Sequence, residues 1–250
     1  MPTEPELDRV YEREYFAGSG CGYRDYFGAE RAVADEKARV RVSLLAECGA
    51  RANGRWLDLG CADGRFVREA VGGGFDAFGV ERSDAARAVA KDEPRLEGRI
   101  FERTEDVFAR GGIEVLTAWD VLEHLRSPFD VLTDAKAHLA RGALIGVVVP
   151  IIDNVTARRW PSQWDQYKPP EHLWFFSRRA LENTLETKLG ARIVTSRSAW
   201  RREARFTGVA RSAPRWVQRI EGTLWRTAQS VRIASRTALD DSWLVIARMP

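Results

Sequence analysis

The sequence predicts an α/β fold wound about a parallel sheet. Three observations carry that expectation. Short apolar runs alternate with helix-like segments between residues 55 and 150, the links between them are short, and a glycine-bearing loop joins the first run directly to a helix. The chain of 250 residues is long enough to bury a core without disulfide or metal staples.

Taken in order, residues 28–48 place Val33, Val40, Leu44 and Cys48 at roughly helical spacing. Arg55–Gly60 reads as a strand, and Gly64–Val71 as a helix stopped by Gly72, Gly73 and Gly74. Asp76–Glu81 is a second strand, and Ser83 is placed to cap the helix that follows. Gly98–Arg103 is a weak third strand and Ile113–Trp119 a fourth. Ser127 and Pro128 open a helix running to Ala140, as an N-cap followed by proline should. Ala143–Pro150 is a buried fifth strand. Residues 151–176 show no period but hold Trp160, Trp164, Tyr167, Trp174, Phe175 and Phe176. A helix over Ser177–Leu189, a strand near 191–200 and a last strand over Trp243–Ala247 complete the chain.

Composition narrows the function. With 44% hydrophobic and 30% charged residues the chain is globular rather than disordered. Cys21, Cys48 and Cys61 lack metal-ligand spacing, and His124 beside Glu123 is the only hint of a ligand pair, so no metal site is expected. The cysteine usage fits a reducing compartment, and the opening MPTEPELDRV lacks the apolar run of a secretory leader, so a cytoplasmic location is expected. The net charge of +3 is too small to argue for nucleic acid. It is uneven, however: residues 201–240 carry nine arginines against Glu203, Glu221 and Asp240, a local +6. Within that segment Trp216, Ile220 and Leu224 fall on one helical face, the pattern of a basic amphipathic helix on an anionic membrane or against a lipid-linked ligand. A solvated helix or an oligomer contact would look the same.

The informative segment is residues 56–66, WLDLGCADGRF. Glycine at 60 and 64 lets backbone approach a ligand, and the helix beyond offers its N-terminal N–H groups. Glu81, at the end of the next strand, can accept both hydroxyls of a ribose. A nicotinamide site would show G-x-G-x-x-G, but the three positions read Gly60, Ala62 and Arg65. Asp58 would repel a pyrophosphate yet attract an ammonium group. The pattern therefore favours an adenosine cofactor with a cationic end.

These residues resemble the class I S-adenosylmethionine-dependent methyltransferases, and within them the bacterial group that includes quinone O-methyltransferases and glycan and natural-product enzymes. LDLGCADG (57–64) is similar to the first family motif, GVERSDAARAVA (79–90) to the second, and TEDV (104–107) to the segment beside the adenine. WDVLEHLRSPFDVL (119–132) is similar to the signature after strand four, and PPEHLWFFSRRAL (169–181) to a later motif. YFAGSGCGYRDYF (15–27) resembles a tyrosine-rich segment that covers the cofactor. Ala62 stands where glycine is commoner.

The resemblance implies a doubly wound, mostly parallel seven-stranded sheet with an antiparallel last strand. It implies an N-terminal helical cap over residues 1–50 and a methyltransferase domain over 51–250, with an aromatic loop at 151–176 and a basic insertion at 201–240. Asp58, Gly60, Cys61 and Gly64 would hold the methionine end of S-adenosylmethionine, and Glu81 its ribose. Arg82, Thr104 and Glu105 would flank the adenine, Trp119 and Asp120 would lie near the sulfonium, and Tyr23 and Tyr26 would lid the site. Methyl transfer is an in-line displacement that needs positioning and, for a hydroxyl acceptor, a base. His172 is the first candidate base and His124 the second. Trp160, Trp164, Tyr167 and Trp174 would wall the pocket of a small acceptor, with the product S-adenosylhomocysteine left behind. Two further readings stay open: a noncatalytic partner that binds the cofactor, and an RNA methyltransferase. The absence of an N/D-P-P-[YF] motif at the end of strand four, where the chain reads AWDVLEH, counts against methylation of base nitrogens.

Overall fold

The computed structural model describes residues 31–52, 54–199 and 242–250, together with positions 2 and 6. Tyr23, Tyr26 and the basic segment 201–240 lie outside the described residues. The elements in chain order are α1 (Arg31–Glu47), β1 (Arg55–Leu59), α2 (Arg65–Gly72), β2 (Asp76–Val80), α3 (Asp84–Lys91), β3 (Ile100–Phe101) and α4 (Thr104–Phe108). Then follow β4 (Ile113–Trp119), α5 (Pro128–Lys136), β5 (Leu139–Pro150), α6 (Val155–Arg159), α7 (Arg178–Leu189), β6 (Arg192–Ser198) and β7 (Ser242–Arg248). A single seven-stranded sheet forms in the order β3-β2-β1-β4-β5-β7-β6. The first five strands are parallel, and β7 runs antiparallel to both β5 and β6. This is the doubly wound sheet that the sequence predicts. Among the described residues no helix is long and apolar enough to cross a membrane.

Strand periodicity sorts the core into two halves. Leu57 and Leu59 of β1 pack with Leu132 of α5 and with Leu181 and Leu185 of α7. Trp56 faces the other way, joining Leu45 of α1 and Phe66 and Val67 of α2. Side chains alternate across a strand, so one strand feeds both layers. Trp56 stacks on Phe75 with centroids 4.0 Å apart. On this same face Asp58 pairs in register with Thr117 of β4, which fixes where the polar groups of the sheet will meet.

The caps follow their chemistry with one exception. Ser83 Oγ accepts from the Ala86 N–H and Ser177 Oγ from the Ala180 N–H, each satisfying an orphan donor. Ser127 precedes Pro128 as expected but makes no side-chain cap bond. The helix it opens also stops at Lys136 rather than Ala140, because β5 begins at Leu139, four residues earlier than the apolar run implies. His138 is half-buried with its ring stacked 4.1 Å from Phe108.

The strand order reverses between β1 and β4, and the loops leaving these strands lie against each other there. Gly60 has φ of 62°, and a Cβ on it would stand 2.6 Å from Val121 Cγ2. Gly60→Ala should therefore cost about 1–2 kcal/mol for the left-handed backbone and a further ~1–3 kcal/mol for overpacking. Trimming Val121 to alanine leaves the next nearest atom, Val121 Cβ, at 3.5 Å. Chemical denaturation of both single variants and the double variant should show the overpacking part recovered; additive losses would contradict the contact.

Candidate active site

The crevice at this reversal holds two carboxylates placed by the ends of β1 and β2. Asp58 is 3% exposed, and its Oδ1 accepts a 2.6 Å hydrogen bond from Thr117 Oγ1. Burial raises its pKa from 3.8 to about 7; the Thr117 hydroxyl and the Arg41 guanidinium oppose the shift, and Glu81 adds to it. Such a group gains most from a cation brought beside it. Glu81 is clamped by backbone: Oε2 accepts from the Ala62 N–H at 2.9 Å and Oε1 from the Ser83 N–H at 2.8 Å. Burial lifts this carboxyl above its ordinary range, with the N–H donors of Ser83 and Ala62 acting against the rise. A carboxylate has about four acceptor positions, and the backbone N–H groups of Ser83, Ala62 and Arg82 already draw on them. Ala62, standing where glycine is commoner, adopts φ of 49° and is held there by its bond to Glu81.

A second polar group lies beyond the end of β4. The turn Leu122–His124 is stitched to residues 171–174 of the aromatic loop. The Leu173 and Trp174 N–H groups both donate to the Glu123 carbonyl, at 2.8 and 3.1 Å. Trp174 Nε1 donates to the Leu125 carbonyl at 2.8 Å. His124 Nδ1 meets the Glu171 carbonyl at 3.1 Å, and His172 Nδ1 meets the Gln166 carbonyl at 2.8 Å. A carbonyl only accepts, so both Nδ1 atoms carry the proton and each Nε2 presents its lone pair. The rings stand edge to face, 4.7 Å apart. Burial, reinforced by His172, lowers His124 to about 3; burial, reinforced by Lys168, lowers His172 to about 4. Glu123 is 1% exposed, and burial together with Asp120 pushes its carboxyl well above the usual range.

Residues 29–196 match the family described as a methyltransferase domain. The chain belongs to that family. It is a class I S-adenosylmethionine-dependent methyltransferase by family and by fold. Its structure is similar to magnesium protoporphyrin IX methyltransferase from Synechocystis, solved with S-adenosylhomocysteine, at 12% identity and TM-score 0.62, covering 99% of this chain and 100% of that one. It is also similar to a SAM-dependent methyltransferase from Archaeoglobus fulgidus, at 15% identity and TM-score 0.57, covering 89% and 99%. The [4+2]-cyclase SpnF aligns at 21% identity and TM-score 0.56, covering 85% and 80%. Comparison with curated proteins finds no match.

The methyltransferase places the other expected residues unevenly. Gly64 caps α2 in the left-handed region at φ of 73°. The Cys61 side chain lies beneath the loop rather than in the crevice, buried against the bare Cα of Gly79, and its N–H donates to the Val80 carbonyl at 3.1 Å. Burial pushes its thiol up, so it acts through packing. Arg82 and Glu105 are exposed and Thr104 half-buried, on the β2–β3 side of the crevice. The Trp119 ring is 8% exposed and packs edge-on against Phe66 at 5.5 Å, so it supports the strand end from the core. Asp120 holds φ of 57°, a conformation costly without glycine. Its carboxylate pairs with Arg41 at 3.2 Å. Arg41 is the group that sequence reasoning missed: one of three arginines on α1, yet 9% exposed and 4.8 Å over the Trp119 ring. In the aromatic loop Trp164 is buried and Trp174 is tied to the turn, so both are framework. Trp160 and Tyr167, at 50% and 51% exposure, are the two presented to solvent.

The Asp58 shift carries a sign that can be measured. Its folded pKa exceeds its unfolded one, so the folded state holds a proton that the unfolded chain releases. The stability this group contributes is present below about pH 4 and is lost as pH rises through about 7. Asp58→Asn removes the titration. Urea denaturation at pH 5 and pH 8 should show the wild type losing stability relative to the variant at the higher pH; a constant difference would contradict the buried carboxyl.

Proposed function

We propose that the methyltransferase moves a methyl group to a hydroxyl of a small acceptor, of the glycan, lipid-linked or natural-product class. The cofactor crevice fits the chemistry of its ligand. Asp58 suits an ammonium group and Glu81 suits a ribose diol. Bound S-adenosylmethionine supplies an electrophilic methyl group and a neutral thioether leaving group. The observation that carries the acceptor reading is the pair of neutral imidazoles fixed by their Nδ1–H bonds beyond β4. Their lone pairs are the groups suited to relieve a hydroxyl of its proton, His172 foremost. Trp160 and Tyr167 offer exposed faces on which a sugar or a flat ring can stack. The arginine-rich run 201–240 favours an anionic or lipid-linked acceptor on charge alone.

Two measurements test the halves of this reading. Glu81→Ala removes charge-assisted hydrogen bonds worth about 1.5–3 kcal/mol each. Calorimetry should then show S-adenosylhomocysteine bound at least about tenfold more weakly, and unchanged affinity would remove Glu81 from the site. For the acceptor half, a deuterated methyl donor and a panel of hydroxylated acceptors should give labelled ethers by mass spectrometry. With any acceptor so found, His172→Ala should lower kcat by about 10²–10⁴ at unchanged cofactor affinity. Labelled amines or C-methyl products in place of ethers would overturn the hydroxyl assignment.

A further inference from the structure

We infer that Glu123, His124 and His172 form a binding site for a divalent transition-metal ion. The fold brings one ligand atom from each to within 4.8 Å of the others, although residues of the turn and the aromatic loop are 47 positions apart in the chain. His124 Nε2 already stands 3.9 Å from Glu123 Oε1. Atoms bound to a tetrahedral metal at about 2.1 Å lie roughly 3.4 Å apart, so a contraction of at most about 1.4 Å closes the set.

Two independent features point to a cation rather than to three packed side chains. Glu123 is 1% exposed, and neither of its carboxylate oxygens has a hydrogen-bond partner among the described residues. A buried carboxylate left so is costly unless something satisfies it. Both imidazoles also donate Nδ1–H to backbone carbonyls, of Glu171 and Gln166. This is the outer bond that metal-ligating histidines make almost always, because it fixes the ring and the tautomer while leaving Nε2 for the metal. The stitching of residues 171–174 to the turn holds the three donors on one rigid unit.

Two nitrogens and one oxygen select the class of ion. Zn²⁺, Co²⁺, Mn²⁺ and Fe²⁺ accept such a set with positions left open, whereas Mg²⁺ calls for oxygen ligands. The catalytic consequence rests on the proposed function: an acceptor hydroxyl on an open position would ionise there, its O–H bond breaking and its proton passing to bulk water. His172 Nε2 then serves as ligand instead of taking the proton itself.

The test is titration of the chelator-treated full chain with Co²⁺ and Zn²⁺. One equivalent should bind, Co²⁺ giving d–d bands in the visible and two hyperfine-shifted, exchange-protected imidazole N–H resonances. Glu123→Gln and His172→Ala should each weaken binding by about a hundredfold or more, with S-adenosylhomocysteine affinity retained as proof of folding. Should either variant fail to fold, the two shifted N–H signals of the wild type decide the matter alone. No stoichiometric binding, Mg²⁺ binding as tightly as Zn²⁺, or Co²⁺ spectra unchanged in folded variants would overturn the site. Ether formation that persists in the metal-free protein would overturn the catalytic consequence and leave the hydroxyl acceptor standing; metal binding without ether formation on any acceptor would overturn the hydroxyl acceptor and leave the metal site standing.

Discussion

Parallel strands cannot be joined by tight turns, so each must return through a crossover. In this sheet the crossovers wind outward in both directions from the pair β1 and β4. The loops leaving those two strands therefore part company, and the crevice they leave is where backbone and polar side chains can reach a ligand. The closeness of Gly60 and Val121 shows how little space separates the loops at their roots. Everything with a chemical task hangs from that seam: Asp58 and Thr117 on adjacent strands, Glu81 one strand away, and the turn Leu122–His124 just beyond β4.

The seam concentrates buried carboxyls. Asp58, Glu81 and Glu123 are three carboxyls held above their ordinary pKa by burial. Buried like charges oppose folding, and proteins retain such arrangements where the missing counter-charge arrives with a ligand. The positive φ of Ala62 and Asp120 adds backbone strain at the same strand ends. The surrounding sandwich is ordinary by comparison, with alternating apolar strand positions packed on both faces and serine caps on α3 and α7.

Local patterns were legible in the sequence because local physics writes them. The run from Trp56 to Phe66 shows strand, turn and helix start within eleven residues, and Ser83 and Ser177 announce their helices through capping chemistry. The apolar pattern marks only part of β5, because its first residues, Leu139 to Gly142, are not fully buried and so lack an apolar signature. What escaped was long-range. Arg41 has no local feature that separates it from its neighbours on α1; only tertiary packing turns it toward Asp120. The convergence of His172 on Glu123 depends on hydrogen bonds between segments far apart in sequence. The aromatic residues were visible as a group, but which of them face solvent is decided by Trp174 anchoring the loop and Trp164 filling the space beneath it.

Arg41 ties the first described helix to the chemistry of the sheet. It bonds Asp120 across 79 positions of sequence and lowers the proton affinity of Asp58. Seating of α1 and ionisation of Asp58 are consequently linked functions, in the thermodynamic sense that each must favour the other. A cationic ligand that draws the charge onto Asp58 also competes for the field that Arg41 supplies. The helix thus carries a counter-ion to the seam, and whatever its docking does to the ligand's affinity the ligand does in equal measure to its docking.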